Sequence, residues 1–400
     1  MFAYIIEAIR TPRARGKNDG KLFEVAPVTL LSGQLEALRD RVGLDPAVVD
    51  DVIVGCGSQV GEQGANIARA AVFHAGWDPR APGTMVNRCG ASGLEAVHVA
   101  AAKILGGQDH LVVAAGVESM SRGGRGSEGG AWAFDPKTHI RGGFMPQGLG
   151  ADLLATVEDF SRKDIDQWAL WSHQRAAKAQ AQGFFKNSIV PVRDQNGLEI
   201  ITEDEMIRRD TSLEALGFLE PCFVDLADRG YLTTAQRRYP DVEKISHVHT
   251  AGNSAASSDG ASAVLLASEA AVKKYGWKPR ARVVSMATGG SEPTMTLAGT
   301  VPATQKALER AKLSLDAIDL FEVNEDFASV VLKFARDLRV PFEKINVNGG
   351  AIALGHPRGA TGAILVSTLI DELGRQRSRY GLVTLCGGAG MGLATVLERL

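Results

Sequence analysis

Two parts of this 400-residue chain answer to each other across an interval of about 270 residues. Leu44, Val49 and Asp50 in LDPAVVDDVIVG match Leu313, Ile318 and Asp319 in LSLDAIDLFEVN. Ser92-Gly93 matches Thr361-Gly362 at the same offset, each pair opening a helical pattern. With a two-residue insertion allowed, LVVAAG at 111–116 matches LVTLCG at 382–387. Generic β-α units resemble one another by chance, but here order and spacing hold over three blocks. The repeat predicts two similar halves.

Each half alternates short β-branched runs with longer helical patterns. Val112–Ala115 and Leu382–Leu385 are short runs rich in apolar and β-branched residues and predict buried strands; Leu94–Leu105 and Ala363–Leu373 predict helices with an apolar face. Alternation of this kind predicts an α/β fold with mostly parallel pairing. Between the halves, roughly from Ser119 to Val248, the pattern changes. SRGGRGSEGG predicts a flexible segment, Arg162–Gln182 a helix, and the remainder loops rich in charge. An arginine-glycine run can bind RNA, but one short run in a chain of net charge −2 predicts a mobile loop and no nucleic-acid partner.

At 45% hydrophobic and 22% charged the composition is that of a globular protein. No run of about 18 apolar residues is present to span a membrane. Phe2–Ile9 resembles a strand and lacks the layout of a signal peptide. The C-terminus, Glu398-Arg399-Leu400, is not a peroxisomal address. The cysteines Cys56, Cys89, Cys222 and Cys386 are far apart and form no CxxC pair, which argues against structural zinc and a disulfide framework. The expectation is a cytoplasmic protein with free thiols.

Four constellations carry chemistry. Cys89, in VNRCGASG, joins a strand to a helix, where unsatisfied N–H groups and the helix dipole favour a thiolate; a buried structural cysteine is the competing role. His356, in NGGAIALGHPRGATG, is a proton carrier flanked by glycines and fixed by Pro357. Cys386 ends an apolar strand at a CGGAGMG turn whose backbone amides resemble an oxyanion hole; no Lys-Ser/Thr follows, so it is not a phosphate-binding P-loop. Asn324, in EVNEDFA, can orient a water or a carbonyl, or cap a helix. His247 and His249 would share one face of a strand, but no third metal ligand accompanies them, and no metal site is expected.

Taken together, CGAS at 89–92, NEDF at 324–327, GHP at 355–357 and CGG at 386–388 resemble the signatures of the thiolase family, and the likeness extends to GVESMS at 116–121 and HTAGNSAASSDGA at 249–261. The resemblance implies a five-layer αβαβα sandwich of two similar α/β halves with an inserted lid over coenzyme A. The expected boundaries are 1–118 for the first half, completed by about 249–270, 119–248 for the lid and 271–400 for the second half. It implies an acyl-CoA C-acyltransferase that cleaves 3-ketoacyl-CoA with coenzyme A, or runs the Claisen condensation in reverse. Coenzyme A thioesters are then substrates, with no permanently bound cofactor.

Cys89 is the nucleophile of this scheme, His356 its base and Cys386 the acid/base at the α-carbon. One oxyanion hole combines His356 with a water held by Asn324; the other combines the N–H groups of Cys89 and Gly388. Coenzyme A would lie against Arg208, Phe223, Ala251 and Phe327, with Arg209 assisting at the phosphates. A homodimer or homotetramer is expected from the family and from the apolar strands Leu111–Ala115 and Ala263–Leu266, read as reaching a partner surface.

Three departures stand out: Asp326 where the family usually has alanine, Ala255 where short-chain biosynthetic members have serine, and a longer stretch between Phe223 and Thr250. An ionised Asp326 must be paired or solvated, and Arg358 has the complementary charge. Two other functions fit the same fold, a related condensing enzyme such as a ketoacyl synthase and a non-catalytic acyl-CoA-binding protein. Cys386 argues against the first, and retention of Cys89, His356 and Cys386 against the second.

Overall fold

A computed structural model describes residues 2–123, 126 and 129–400; the centre of the glycine-arginine run read above as flexible lies outside the described residues. The main sheet contains β1 (Ala3–Arg10), β2 (Asp51–Gly55), β3 (Thr84–Val86), β4 (Leu111–Ser119), β5 (Ser258–Ser268), β6 (Ala281–Gly290), β7 (Leu320–Val323), β8 (Tyr380–Gly388) and β9 (Met391–Arg399). Their order is β7-β8-β9-β6-β1-β5-β4-β2-β3, and the short strand Ala14–Arg15 adds to β5. The first half thus ends in β1 and the second in β6, and these two pair antiparallel through Ala3–Val283 and Ile5–Ala281.

Only three strand pairs are parallel, β2 with β3, β2 with β4 and β7 with β8; the other pairs of this sheet are antiparallel. The expectation of mostly parallel pairing fails because β5 and β9 each return beside the preceding strand, which antiparallel strands do without a crossover helix.

The eight principal helices are α1 (Pro27–Val42), α2 (Ile67–His74), α3 (Ser92–Leu105), α4 (Gln147–Val157), α5 (Arg162–Ala181), α6 (Thr300–Ala311), α7 (Ala328–Leu338) and α8 (Arg358–Gln376). Strand alternation sorts apolar side chains into layers. Val113 and Ala115 of β4 pack with α1 and α2, while Val112 and Ala114 pack with α3 and α8. In β8, Val383 and Leu385 join that same central layer, whereas Leu382 faces α5, α6 and α7. The order helix, sheet, helix, sheet, helix is the five-layer sandwich. Because both faces of these strands are covered, they have no polar side to alternate with.

The repeat is kept to the hydrogen bond. Asp50 accepts from the N–H groups of His110 (2.7 Å) and Leu111 (2.9 Å). Asp319 accepts from those of Arg379 (2.9 Å) and Tyr380 (2.9 Å), each partner shifted by 269 residues. Asp51 pairs with Val112 and Leu320 with Gly381 at the same shift. No insertion is therefore needed between the halves; the two-residue gap came from matching similar letters, not equivalent positions. At the centre, α3 crosses α8 through a repeated glycine. A Cβ on Gly93 would lie 2.7 Å from the Gly359 oxygen, and one on Gly362 would lie 2.0 Å from the Leu94 nitrogen. Glycine alone permits this backbone approach.

The segment between the halves includes α4, α5 and a small hairpin of Val192–Arg193 with Glu199–Ile201. The stretch after Phe223 forms short helical turns from Val224 to Gln236. Strands β4 and β5 pair with each other inside the sheet and are buried, so they do not reach a partner surface as expected.

Candidate active site

Cys89 sits between β3 and α3 in a left-handed conformation (φ +51°), which a non-glycine residue adopts only when its surroundings hold it there. The holding groups are local. Ser92 Oγ accepts from the Arg88 N–H (2.9 Å) and donates to the Cys89 carbonyl (2.6 Å). The Cys89 N–H donates to Asn87 Oδ1 (2.8 Å), so in this conformation one expected oxyanion donor is engaged by a side chain. Arg88 forks onto Glu95 of α3 with two contacts of 2.7 Å. Cys89 itself is exposed.

Three further loops meet it. A Cβ on Gly90 would lie 3.1 Å from His356 Nε2 and 3.5 Å from the Cys386 carbonyl, and one on Gly388 would lie 3.9 Å from Cys89 Cβ. His356 is buried just before α8. Thr361 of that helix donates to the Pro357 carbonyl (3.0 Å), which leaves its oxygen to accept Nδ1–H of His356 at 2.7 Å. That contact fixes the tautomer and points Nε2 at the centre. There Nε2 lies 3.2 Å from Asp326 Oδ1 and 3.5 Å from Asn324 Nδ2. Asn324 Nδ2 donates to Asp326 Oδ2 (2.8 Å), while Asn324 Oδ1 is buried without a partner among the described residues.

Cys386 stands at an irregularity where β8 slips against β9, so its thiol turns into the protein and donates to the Leu297 carbonyl at 2.9 Å. Burial raises this thiol well above its ordinary value and the Asp326 carboxylate adds to the effect, while the Thr300 and Gly299 N–H groups at the start of α6 oppose it. It rests as a neutral thiol, a proton donor. The Cys56 thiol is likewise pushed up, by burial first and then by Glu118.

A cavity of about 470 Å³ reaches His356 and Asp326; its lining also includes Phe327, Phe223, Ala255 and Arg358. A second, of about 760 Å³, shares Phe223 and Ala255 and runs past Ala251 to Arg208. Arg208 and Arg209 line a third hollow beyond it. The four residues expected to hold coenzyme A thus lie along one connected path, with Phe223 edge-on to Phe327 at 5.9 Å. His247 and His249 both present Nδ1 to the buried Asp152 of α4 at 2.8 Å.

The model of the thiolase N-terminal domain matches residues 3–237, and that of the thiolase C-terminal domain matches residues 277–399. The chain belongs to the thiolase family. It is 41% identical to the β-ketoadipyl-CoA thiolase of Pseudomonas aeruginosa, over 99% of each chain. It is 38% identical to the steroid 3-ketoacyl-CoA thiolase of Mycobacterium tuberculosis, over 100% of this chain and 94% of that one. The crystal structure of the Bacillus anthracis acetyl-CoA acetyltransferase superposes with a TM-score of 0.86 at 33% identity, covering 100% of this chain and 99% of that one. As a thiolase, the protein is an acyl-CoA C-acyltransferase acting on coenzyme A thioesters. Among the described residues no helix is long and apolar enough to cross a membrane.

Two carboxylates that hold this thiolase site together escaped the sequence reading. Buried Glu118, at the end of β4, accepts from the N–H groups of Gly57 (2.9 Å), Ser58 (3.1 Å) and Gly359 (2.9 Å), tying the nucleophile half to the start of α8. Buried Glu325 accepts from Trp168 (3.0 Å) and Ser172 (2.7 Å) of α5, from Asn346 (2.9 Å) and from the Ile352 N–H (3.1 Å). It fastens the Asn324 loop to both α5 and the His356 loop. The available signal was a carboxylate directly after an apolar strand, in GVES and in FEVNE.

Proposed function

We propose that Cys89, His356, Cys386 and Asn324 carry thiolysis of 3-ketoacyl-CoA. The Cys89 sulfur attacks the 3-keto carbon and its proton passes to His356 Nε2. The bond between C2 and C3 then breaks, and the leaving acetyl-CoA enolate takes a proton at carbon from the Cys386 thiol. Coenzyme A gives its thiol proton to the Cys386 thiolate left by that step and attacks the acyl-Cys89; the shortened acyl-CoA is released as the Cys89 sulfur takes its proton back from His356 Nε2. Condensation is the same sequence reversed. The observation that carries this reading is the meeting of three loops at Gly90, where a Cβ would lie 3.1 Å from His356 Nε2 and 3.5 Å from the Cys386 carbonyl. A buried thiol held neutral suits the acid step.

Asn324 Oδ1 is a ready acceptor for a water that would stand beside the thioester oxygen. The N–H groups of Cys89 and Gly388 form the second hole once Asn87 lets go of the former. Arg208 and Arg209 take the coenzyme A phosphates, and Phe223, Ala251 and Phe327 the pantetheine. The division into two halves and a lid at 119–248 belongs to the same reading, as do the absence of a resident cofactor, a cytoplasmic location and a part in fatty-acid β-oxidation. A homo-oligomer is supported by β3, an edge strand whose Met85 and Val86 are half-exposed beside the exposed Cys89. Mixing with acetoacetyl-CoA and coenzyme A tests the activity: acetyl-CoA forms, with an acyl adduct on Cys89 by mass spectrometry. An adduct on Cys386 alone would reverse the assignment.

A further inference from the structure

Asp326 is in an unusual place for a residue next to a catalytic histidine. A carboxylate that orients a histidine binds the nitrogen turned away from the chemistry. Here that nitrogen, Nδ1, is already fixed by Thr361 at 2.7 Å, and Asp326 Oδ1 instead lies 3.2 Å from Nε2, where it accepts a hydrogen bond once Nε2 carries a proton. Its other oxygen takes Asn324 Nδ2 at 2.8 Å. One carboxylate therefore spans two of the polar groups that would receive a thioester oxygen, and it carries the negative charge that such an oxygen acquires during reaction.

We propose that Asp326 is an internal occupant of the oxyanion hole, which the thioester oxygen of an incoming acyl-CoA must displace. The proposal rests on the function assigned above. The backbone allows the exchange to be a side-chain movement alone. The Asp326 carbonyl accepts the Ala255 N–H at 3.0 Å, and the next residue, Phe327, bridges to Ser254, so the loop is held while the side chain faces a cavity it shares with Arg358. Alanine, usual at this place in the family, leaves the hole to the ligand. With aspartate, each thioester competes with a tethered carboxylate, whereas coenzyme A itself, having no thioester oxygen, does not.

The test is a binding comparison that needs no turnover. In Cys89→Ala protein, calorimetry gives the affinity for acetyl-CoA and for coenzyme A, with Asp326 intact and with Asp326→Ala. Acetyl-CoA binding should tighten roughly tenfold or more, the weight of one charge-assisted hydrogen bond, while coenzyme A changes by less than about twofold. Asp326→Asn, of the same size, guards against a folding defect and should show the same selectivity at smaller amplitude. Equal shifts for both ligands, or no tightening of acetyl-CoA, would overturn the proposal. Failure of Cys89→Ala protein to bind coenzyme A at all would count against the assigned function, and this proposal would fall with it.

Discussion

At the residue scale the candidate catalytic residues can be read from the sequence and their hydrogen-bond partners cannot. Cys89, His356 and Cys386 each lie in a short glycine-bearing motif, where a substrate can approach the backbone, while Asn324 lies in EVNEDFA, which has no glycine. Asp326 was legible as a charge in the wrong company, but its engagement with His356 depends on how separate loops converge, which no spacing encodes. Two outcomes follow from the geometry. Replacing Cys386 with alanine removes the buried thiol proposed to serve the α-carbon. Hydrogen–deuterium exchange at the acetyl-CoA methyl should vanish while acetylation of Cys89 persists. Exchange at the unaltered rate would take Cys386 out of the mechanism. Replacing Asn324 with alanine removes one polar group from an oxyanion hole and should lower kcat by about a hundredfold. Steady-state kinetics on acetoacetyl-CoA, with unchanged melting, would check it.

At the scale of elements, helices and strands were legible wherever a pattern repeated, as in α3, α5, α8, β4 and β8. Their pairing sense was not, because a strand buried on both faces shows the same apolar run whether its neighbour is parallel or antiparallel. The crossing of α3 and α8 gives a sharp test, since α8 contains glycines in opposite circumstances. A Cβ on Gly362 meets the Leu94 backbone at 2.0 Å, while one on Gly374 meets nothing within 4 Å. Alanine is the better helix former, so Gly374→Ala should stabilise by about 0.5 kcal/mol or more. Gly362→Ala should destabilise by about 3 kcal/mol, because backbone cannot yield as a flexible side chain can. Denaturant titration of the two variants should give opposite signs.

For the molecule as a whole, the layers followed from the repeat and the family likeness, while the ties between the segment 119–248 and the sandwich did not. One such tie is Asp204 in that segment. It receives Arg10 through both oxygens (2.7 and 2.8 Å), accepts the Arg13 N–H (2.8 Å), and lets Arg13 reach the Gly355 carbonyl (3.3 Å) beside His356. Burial lowers the Arg13 guanidinium to about 10, and its neighbour Asp204 only partly offsets that. Burial also opposes ionisation of Asp204, but Arg10 and Arg13 outweigh it and hold the carboxyl below its usual value. Stability from this group is complete above the unfolded-state pKa and is lost as pH falls through the lower folded one. Asp204→Ala leaves two buried cations uncompensated and should cost about 3–5 kcal/mol at neutral pH. The gap from the unaltered protein should narrow on acidification, as measured by thermal melts over a pH series.

Ser92 and Thr361 occupy equivalent places in the two halves, the one bonded to the carbonyl of Cys89 and the other to Nδ1 of His356. An ancestor with a single half could reach this geometry only by pairing two identical copies, and identical copies bring identical loops to their axis. Such a pair would offer two nucleophiles or two bases, never one of each. Two copies held in one polypeptide are free of that equivalence. A change on one side of the axis need not be matched on the other, and the loops at the seam can differ, with sulfur on one side and imidazole on the other.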